Sequence, residues 1–198
     1  MVSENSTIAG NIILEVKDLN VWFNGEKVVA GLNLTLKEKE NLVVVGPNGA
    51  GKSVLLRALL GVLPYEGEIK WQENVKVGYV PQRFNPERNL PLTVEEFFRF
   101  KCDDVDHIHE ALCSVGVHDL SILKKKIGII SSGQMQRILI AWGVIDNPDI
   151  LLFDEPTAGI DIEGEETVYN LLSKLEKERD LTIILILLLS TKISFTRI

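Results

Sequence analysis

Leu42-Val43-Val44-Val45-Gly46-Pro47-Asn48-Gly49-Ala50-Gly51-Lys52-Ser53 joins an apolar run to the phosphate-loop pattern G-x-x-x-x-G-K-[ST]. Four consecutive apolar residues closed by glycine read as a buried strand, the setting the pattern needs. Beyond such a strand the glycines let the backbone fold tightly, so that successive N–H groups point at a phosphate, and the following helix adds its positive N-terminal end. Gly46, Pro47, Asn48, Gly49, Ala50 and Gly51 are therefore candidate phosphate-binding residues. Lys52 supplies a point charge to the β- and γ-phosphates, and Ser53 a hydroxyl to Mg²⁺. The alternative is a glycine turn with an incidental lysine. The bare pattern should arise by chance in roughly one chain in a hundred of this length.

Working outward, Lys52 to Gly61 reads as a helix whose Leu55, Leu56, Leu59 and Leu60 form an apolar face toward a sheet. Upstream, Ile12 to Leu36 reads as short antiparallel strands broken by the hairpin signal Asn24-Gly25 and by Gly31. Downstream, Glu68 to Trp71 and Val75 to Val80 look like strands. From Arg83 to about Ile130, Pro86 and Pro91 break the chain, and Thr93 to Phe100 and Val105 to Gly116 have helical texture. Then follow an expected helix from Gly133 to Val144, a strand from Ile150 to Phe153, a helix from Glu163 to Glu178 and a last strand from Leu181.

The 198 residues suffice for one substantial core with a small inserted subdomain. A formal charge of −7 does not favour non-specific binding to nucleic acid or anionic lipid. Any membrane role is thus expected to come through a protein partner. Met1 to Asn11 is polar and lacks the basic start and apolar core of a secretory leader, so a cytosolic protein is expected. Cys102 and Cys113 lack C-x-x-C spacing and read as free thiols. His107 and His109 flank Ile108 on what reads as a solvated helix face, and His118 has no partner at ligand spacing.

A second site element is Asp149-Ile150-Leu151-Leu152-Phe153-Asp154-Glu155, an apolar strand ending in two acids. Open α/β sheets bind ligands at the carboxyl ends of their strands, so Asp154 is placed to hold Mg²⁺ beside the phosphate loop. Glu155 alternates to another direction, where it could polarise a water for in-line attack on a γ-phosphate. The alternative is two acids opening a loop before Pro156. A third element, Ile130-Ser131-Ser132-Gly133-Gln134, offers Ser hydroxyls and free N–H groups at a helix start. One nucleotide does not need two such devices from one chain, which points to a nucleotide held by another copy. An ordinary Ser-capped helix is the alternative.

With these motifs in order, the chain resembles the nucleotide-binding subunit of an ABC transporter over nearly its whole length. The resemblance implies an α/β fold: a P-loop NTPase core with an N-terminal antiparallel β region and an inserted helical subdomain. It implies a single domain over 1–198, with 83–130 as the helical subdomain and 187–198 as an atypical tail. The family signature Leu-Ser-Gly-Gly-Gln is matched by Ile130-Ser131-Ser132-Gly133-Gln134, with Ser132 replacing a glycine. Gln82, in Tyr79-Val80-Pro81-Gln82, takes the place of the Q-loop glutamine that senses Mg²⁺ and the membrane partner. Phe23, or failing it Trp22, stands where an aromatic stacks on adenine, with plain core as the competing role. Asp161 matches the acid that communicates between subunits. The implied assembly is a head-to-tail dimer of two copies holding two ATP molecules, each with its Mg²⁺, between Lys52 of one chain and Ser131 of the other. Integral membrane permease subunits would be its partners at the cytoplasmic face of the plasma membrane, fed by a solute-binding protein, with no nucleic acid involved. The segments Val77 to Phe84 and Leu90 to Phe97 look like those of zinc- and manganese-type importers, with iron-chelate importers as relatives.

The resemblance stops abruptly. Leu187-Leu188-Leu189 stands where the family carries Ser-His-Asp, so the histidine that reaches the γ-phosphate is missing. Ser190 to Ile198 matches nothing in the family. A shifted reading frame or a truncation would account for such a break. The apolar run is about nine residues, short of the roughly twenty that span a bilayer. The rival reading is an ATP-dependent dimerising or regulatory module, or a hydrolysis-deficient subunit.

Overall fold

The computed structural model describes residues 11–82, 84–156, 162–188 and 194–197. Strands β1 (Ile12–Phe23) and β2 (Glu26–Lys37) form a hairpin across the two-residue turn Asn24-Gly25, with φ of 50° and 83°. Positive φ at both positions gives the turn a twist that matches the strands. The strands are longer than the expected short segments, because Gly31 does not end β2. It sits in a bulge, where Leu19 faces Leu32 and Val21 faces Val29, and the Asn20 side-chain oxygen accepts from the Gly31 N–H at 3.0 Å. A side chain thus satisfies an N–H that leaves the ladder. Strand β4 (Glu66–Trp71) pairs with the other side of β1 to complete a three-stranded antiparallel sheet.

Among the described residues a second sheet has five strands: β3 (Leu42–Gly46), β5 (Val77–Val80), β6 (Ile150–Asp154), β7 (Thr182–Leu188) and β8 (Ser194–Arg197). Their order is β5-β6-β7-β3-β8, parallel except for β8, which runs antiparallel along β3. Strand β8 was not expected from the sequence. Four residues with one apolar side chain among them carry little local signal, and the strand is defined by the bonds it makes along β3.

Helix α1 (Lys52–Leu59) ends two residues before the expected Gly61. There Gly61, at φ 70°, donates to Ala58 O and Val62 donates to Arg57 O, the paired bonds of a Schellman stop. Helices α2 (Val94–Phe98) and α3 (Val105–Ser114), with 3₁₀ turns at Leu120–Lys124 and Ile127–Ile129, occupy the stretch expected to be helical. Helices α4 (Ser132–Val144) and α5 (Ile162–Arg179) follow.

Strand alternation divides the core by faces. Leu42, Val44, Ile150, Leu152, Ile184 and Ile186 face α1 and the antiparallel sheet, where Leu56, Leu14 and Leu19 meet them. Val43, Val45, Leu151, Phe153, Ile183 and Leu185 face the opposite way, toward Ile140 and Val144 of α4 and Leu172 and Leu175 of α5. Strands buried on both faces explain why β3, β6 and β7 read as unbroken apolar runs. Among the described residues, no helix is long and apolar enough to cross a membrane.

Candidate functional site

The loop after β3 and the acids after β6 meet because β7 alone separates their strands and all three run parallel. Gly51 precedes α1 at φ 87°, and a Cβ there would lie 2.2 Å from the Val28 Cγ1 of β2. Only glycine allows both this backbone and this approach. Lys52 turns back over the loop, and its Nζ donates to Gly46 O at 2.8 Å and Pro47 O at 2.9 Å. The same ammonium pairs with Glu155 Oε1 at 3.1 Å. The other Glu155 oxygen accepts from Gln82 Nε2 at 2.5 Å. At the second position of α1, Ser53 Oγ donates to Asp154 Oδ1 at 2.9 Å. Five side chains named from the sequence therefore form one cluster.

This cluster is withdrawn from water: Lys52 is 4% exposed and Glu155 8%. A charge so buried is retained only with a partner, which each supplies to the other. Among the described residues Asp154 has no ion-pair partner, and burial pushes its carboxyl above the usual range; the Ser53 hydrogen bond opposes that rise and the Glu155 charge adds to it. Glu155 also adopts φ 48°, rare for a residue with a side chain and typical of strain held at functional positions. The Ser53 hydroxyl and the Asp154 carboxylate are hard oxygen donors 2.9 Å apart at the end of the phosphate loop. They suit Mg²⁺, which takes one or two carboxylates together with substrate phosphate oxygens.

Other expected site residues lie apart from this cluster. Ser131 caps α4, its hydroxyl accepting from Gln134 N at 3.4 Å, and Ser131, Ser132, Gly133 and Gln134 are all exposed. A capped helix start presented to solvent is available to a ligand from outside the chain. Phe23 and Trp22, at the end of β1, are 39% and 37% exposed, and Lys27 Nζ stands 4.6 Å from the Trp22 ring centroid. Neither ring is plain core. Asp161 lies outside the described residues, as does Leu189, while Leu187 and Leu188 continue β7 opposite Val45 and Gly46. The sequence alone did not connect Arg57 with Asp154, whose ionised form its charge favours. Its signal was present in the four-residue step from Ser53 to Arg57 along α1.

A parallel sheet with a glycine loop closing over a buried lysine, and an acid from a neighbouring strand bonded to the serine that follows it, defines the phosphate-loop NTPase class of α/β fold. Within that class the chain belongs to the ABC transporter family, whose model matches residues 29–158. The zinc import ATP-binding protein ZnuC of Pasteurella multocida is 36% identical over 88% of this chain and 66% of its own length. A metal transport system ATP-binding protein of Thermotoga maritima is 35% identical over 88% of this chain and 74% of its own. The chain thus spans just under two thirds of the length of its Pasteurella relative. Its fold is similar to that of a metal-chelate type ABC transporter solved in an inward-facing conformation, with a TM-score of 0.79, 25% identity, and coverage of 94% of this chain and 83% of that one.

Proposed function

We propose that this chain is the ATP-binding and ATP-hydrolysing motor subunit of an ABC importer of a divalent metal ion, zinc or manganese. The observation that carries the reading is the buried cluster in which Lys52 and Gln82 hold Glu155 while Ser53 holds Asp154. In this reading the N–H groups of Asn48 to Ser53 and the Lys52 ammonium bind the β- and γ-phosphates of ATP. Ser53 and Asp154 hold Mg²⁺, with the amide oxygen of Gln82 as a further donor. The ion would offset phosphate charge. Glu155, freed from Lys52 by the arriving γ-phosphate, accepts a proton from the attacking water. Phe23 stacks on adenine, for which its exposure leaves the ring free.

The exposed start of α4 supports a head-to-tail dimer, in which Ser131, Ser132, Gly133 and Gln134 of one copy close over ATP held by Lys52 of the other, and Asp161 links the two sites. Residues 83–130 form the helical subdomain of a single domain over 1–198, and 187–198 its atypical tail. Gln82, at the entrance to that subdomain, relays the state of the site to integral permease subunits. The chain then sits peripherally at the cytoplasmic face of the membrane, with a solute-binding protein delivering the metal. The names of the Pasteurella and Thermotoga relatives support the metal cargo. The reading is tested by equilibrium binding of ATP, followed by reconstitution with the cognate permease in vesicles offered zinc, manganese or an iron chelate. Failure to bind ATP overturns the motor reading; uptake of the iron chelate alone overturns the cargo.

A second reading, a subunit that binds ATP but turns it over poorly, is favoured by Leu188. The register pairs Leu188 with Gly46, at the mouth of the phosphate loop, and a leucine cannot hydrogen-bond a γ-phosphate. Leu188→His is expected to raise phosphate release by about tenfold or more, one lost transition-state donor being worth at least that. Equal turnover in the two proteins would discard this reading. Capture of a membrane subunit would separate a transport motor from a purely regulatory module.

A further inference from the structure

We propose that Val28 of β2 is a positioning residue for the phosphate loop, its side chain holding Gly51 and, through it, the start of α1. The inference rests on the nucleotide-site reading above and adds to it a residue from outside the motif. A Cβ at Gly51 would run into the Val28 Cγ1 and come within 3.4 Å of the Val28 carbonyl oxygen, so strand and loop are already in contact there. At Gly49 a Cβ would meet nothing within 4 Å. The loop is therefore braced at its last glycine and open at the glycine before it. Val28 is half-buried and, among the described residues, belongs to neither apolar core. Its neighbour Val29 packs against the core that includes Leu14 and Leu56. Core packing thus accounts for Val29, and contact with the loop accounts for Val28.

Gly51 precedes α1 as its cap, and its carbonyl accepts from the Leu55 N–H at 2.8 Å, the first bond of that helix. Its dihedral angles consequently aim the free N–H groups of Lys52 and Ser53 and set where the Lys52 stem begins. Glycine by itself leaves those angles loose, because it has no Cβ to restrict them. A β-branched side chain, stiff at χ1, restricts them from outside. Next to this contact the loop borders a cavity of about 380 Å³, lined in part by Ala30, Val44, Gly51, Lys52 and Leu55. A loop beside open space depends the more on the wall it does touch.

The test is calorimetric binding of ATP and of tripolyphosphate, which has neither base nor ribose, each with Mg²⁺, to the native chain, Val28→Ala, Val28→Ile and Val29→Ala, with folding checked by urea unfolding. Val28→Ala is expected to weaken both ligands by the same factor, about tenfold, the worth of one misaligned hydrogen bond to a charged group. Val28→Ile keeps both γ-carbons and finds room for its extra methyl in the cavity, so its affinities should match the native ones within about twofold. Val29→Ala makes the same truncation one residue away and should also stay within about twofold. Should Val28→Ala fail to fold, Val28→Thr, which loses one methyl, takes its place with the same direction expected. Weaker ATP with unchanged tripolyphosphate would mean that Val28 touches the nucleoside, and overturns the proposal. Equal losses in Val28→Ala and Val29→Ala would mark a general loosening of β2 and overturn it too. A native chain that holds ATP but no tripolyphosphate has no preformed phosphate loop for Val28 to brace, and the proposal falls. If the native chain binds neither ligand, the nucleotide-site reading falls and this inference with it. Native affinities in Val28→Ala overturn the inference and leave that reading standing.

Discussion

Glu155 has two neighbours that hold it and one conformation that strains it. In this form its carboxylate is shared between Lys52 and Gln82, so the lysine that should meet a γ-phosphate is occupied by an internal anion. On the proposed reading, ATP would therefore draw Lys52 away from Glu155. Glu155→Gln removes the competing charge, and the expected outcome is phosphate release lowered by about 10²–10⁴-fold, the usual worth of a general base. Its affinity for ATP should equal or exceed the native value, and weaker binding by equilibrium titration would contradict the competition. Burial makes a second prediction. Lys52→Ala leaves Glu155, 8% exposed in the native chain, without its cation, which should lower the unfolding free energy by about 3–5 kcal/mol in urea. Lys52→Ala combined with Glu155→Ala should recover part of that loss, since no unpaired charge remains. The residues of this cluster were legible because each belongs to a short motif. Their mutual capture was not, because a hydrogen bond between residues 73 positions apart leaves no local signal.

Among the elements, α2 shows how far local chemistry alone can specify a boundary. Thr93 and Glu96 form a reciprocal capping box: the Glu96 N–H donates to Thr93 Oγ1 at 3.2 Å, and Glu96 Oε2 accepts from the Thr93 N–H at 2.7 Å. Thr93→Ala is expected to cost about 1 kcal/mol of stability, measured by urea unfolding. The Thr93 backbone and hydroxyl bonds hold the Glu96 carboxyl below its usual pKa. A depressed carboxyl stabilises the fold above its unfolded pKa, and that contribution is lost as pH falls through the folded value. The advantage of the native chain over Glu96→Ala should therefore be full near neutrality and vanish in acid. An advantage that grows on acidification would refute the assignment. The start of α2 could be read from Thr93 and Glu96, and the stop of α1 is set by Gly61, whose left-handed conformation receives the last bonds. Strand β8 and the full length of β2 could not be read, since one depends on the edge of β3 and the other on an Asn20 side chain that carries the ladder past Gly31.

At the scale of the whole molecule, the exposed start of α4 and the buried lysine of the phosphate loop are separate surfaces of one chain, which a second copy would bring together. Glu155→Gln should therefore sediment as a dimer with MgATP and as a monomer with ADP. Adding Ser131→Arg should abolish the dimer while leaving ATP binding intact, because the arginine would stand at the interface and not in the chain's own phosphate loop. Monomers under every condition would refute the proposed assembly. The sequence by itself determined the parallel core, the order of its motifs and the candidates for phosphate and metal chemistry, because apolar runs and glycine spacing act over a few residues. Only the tertiary structure decided that β7 separates β3 from β6, that Lys52 is held by Glu155, and that Gln82 closes on the same carboxylate. Strand order and register are settled by packing between distant segments, and the distances in the site follow from them.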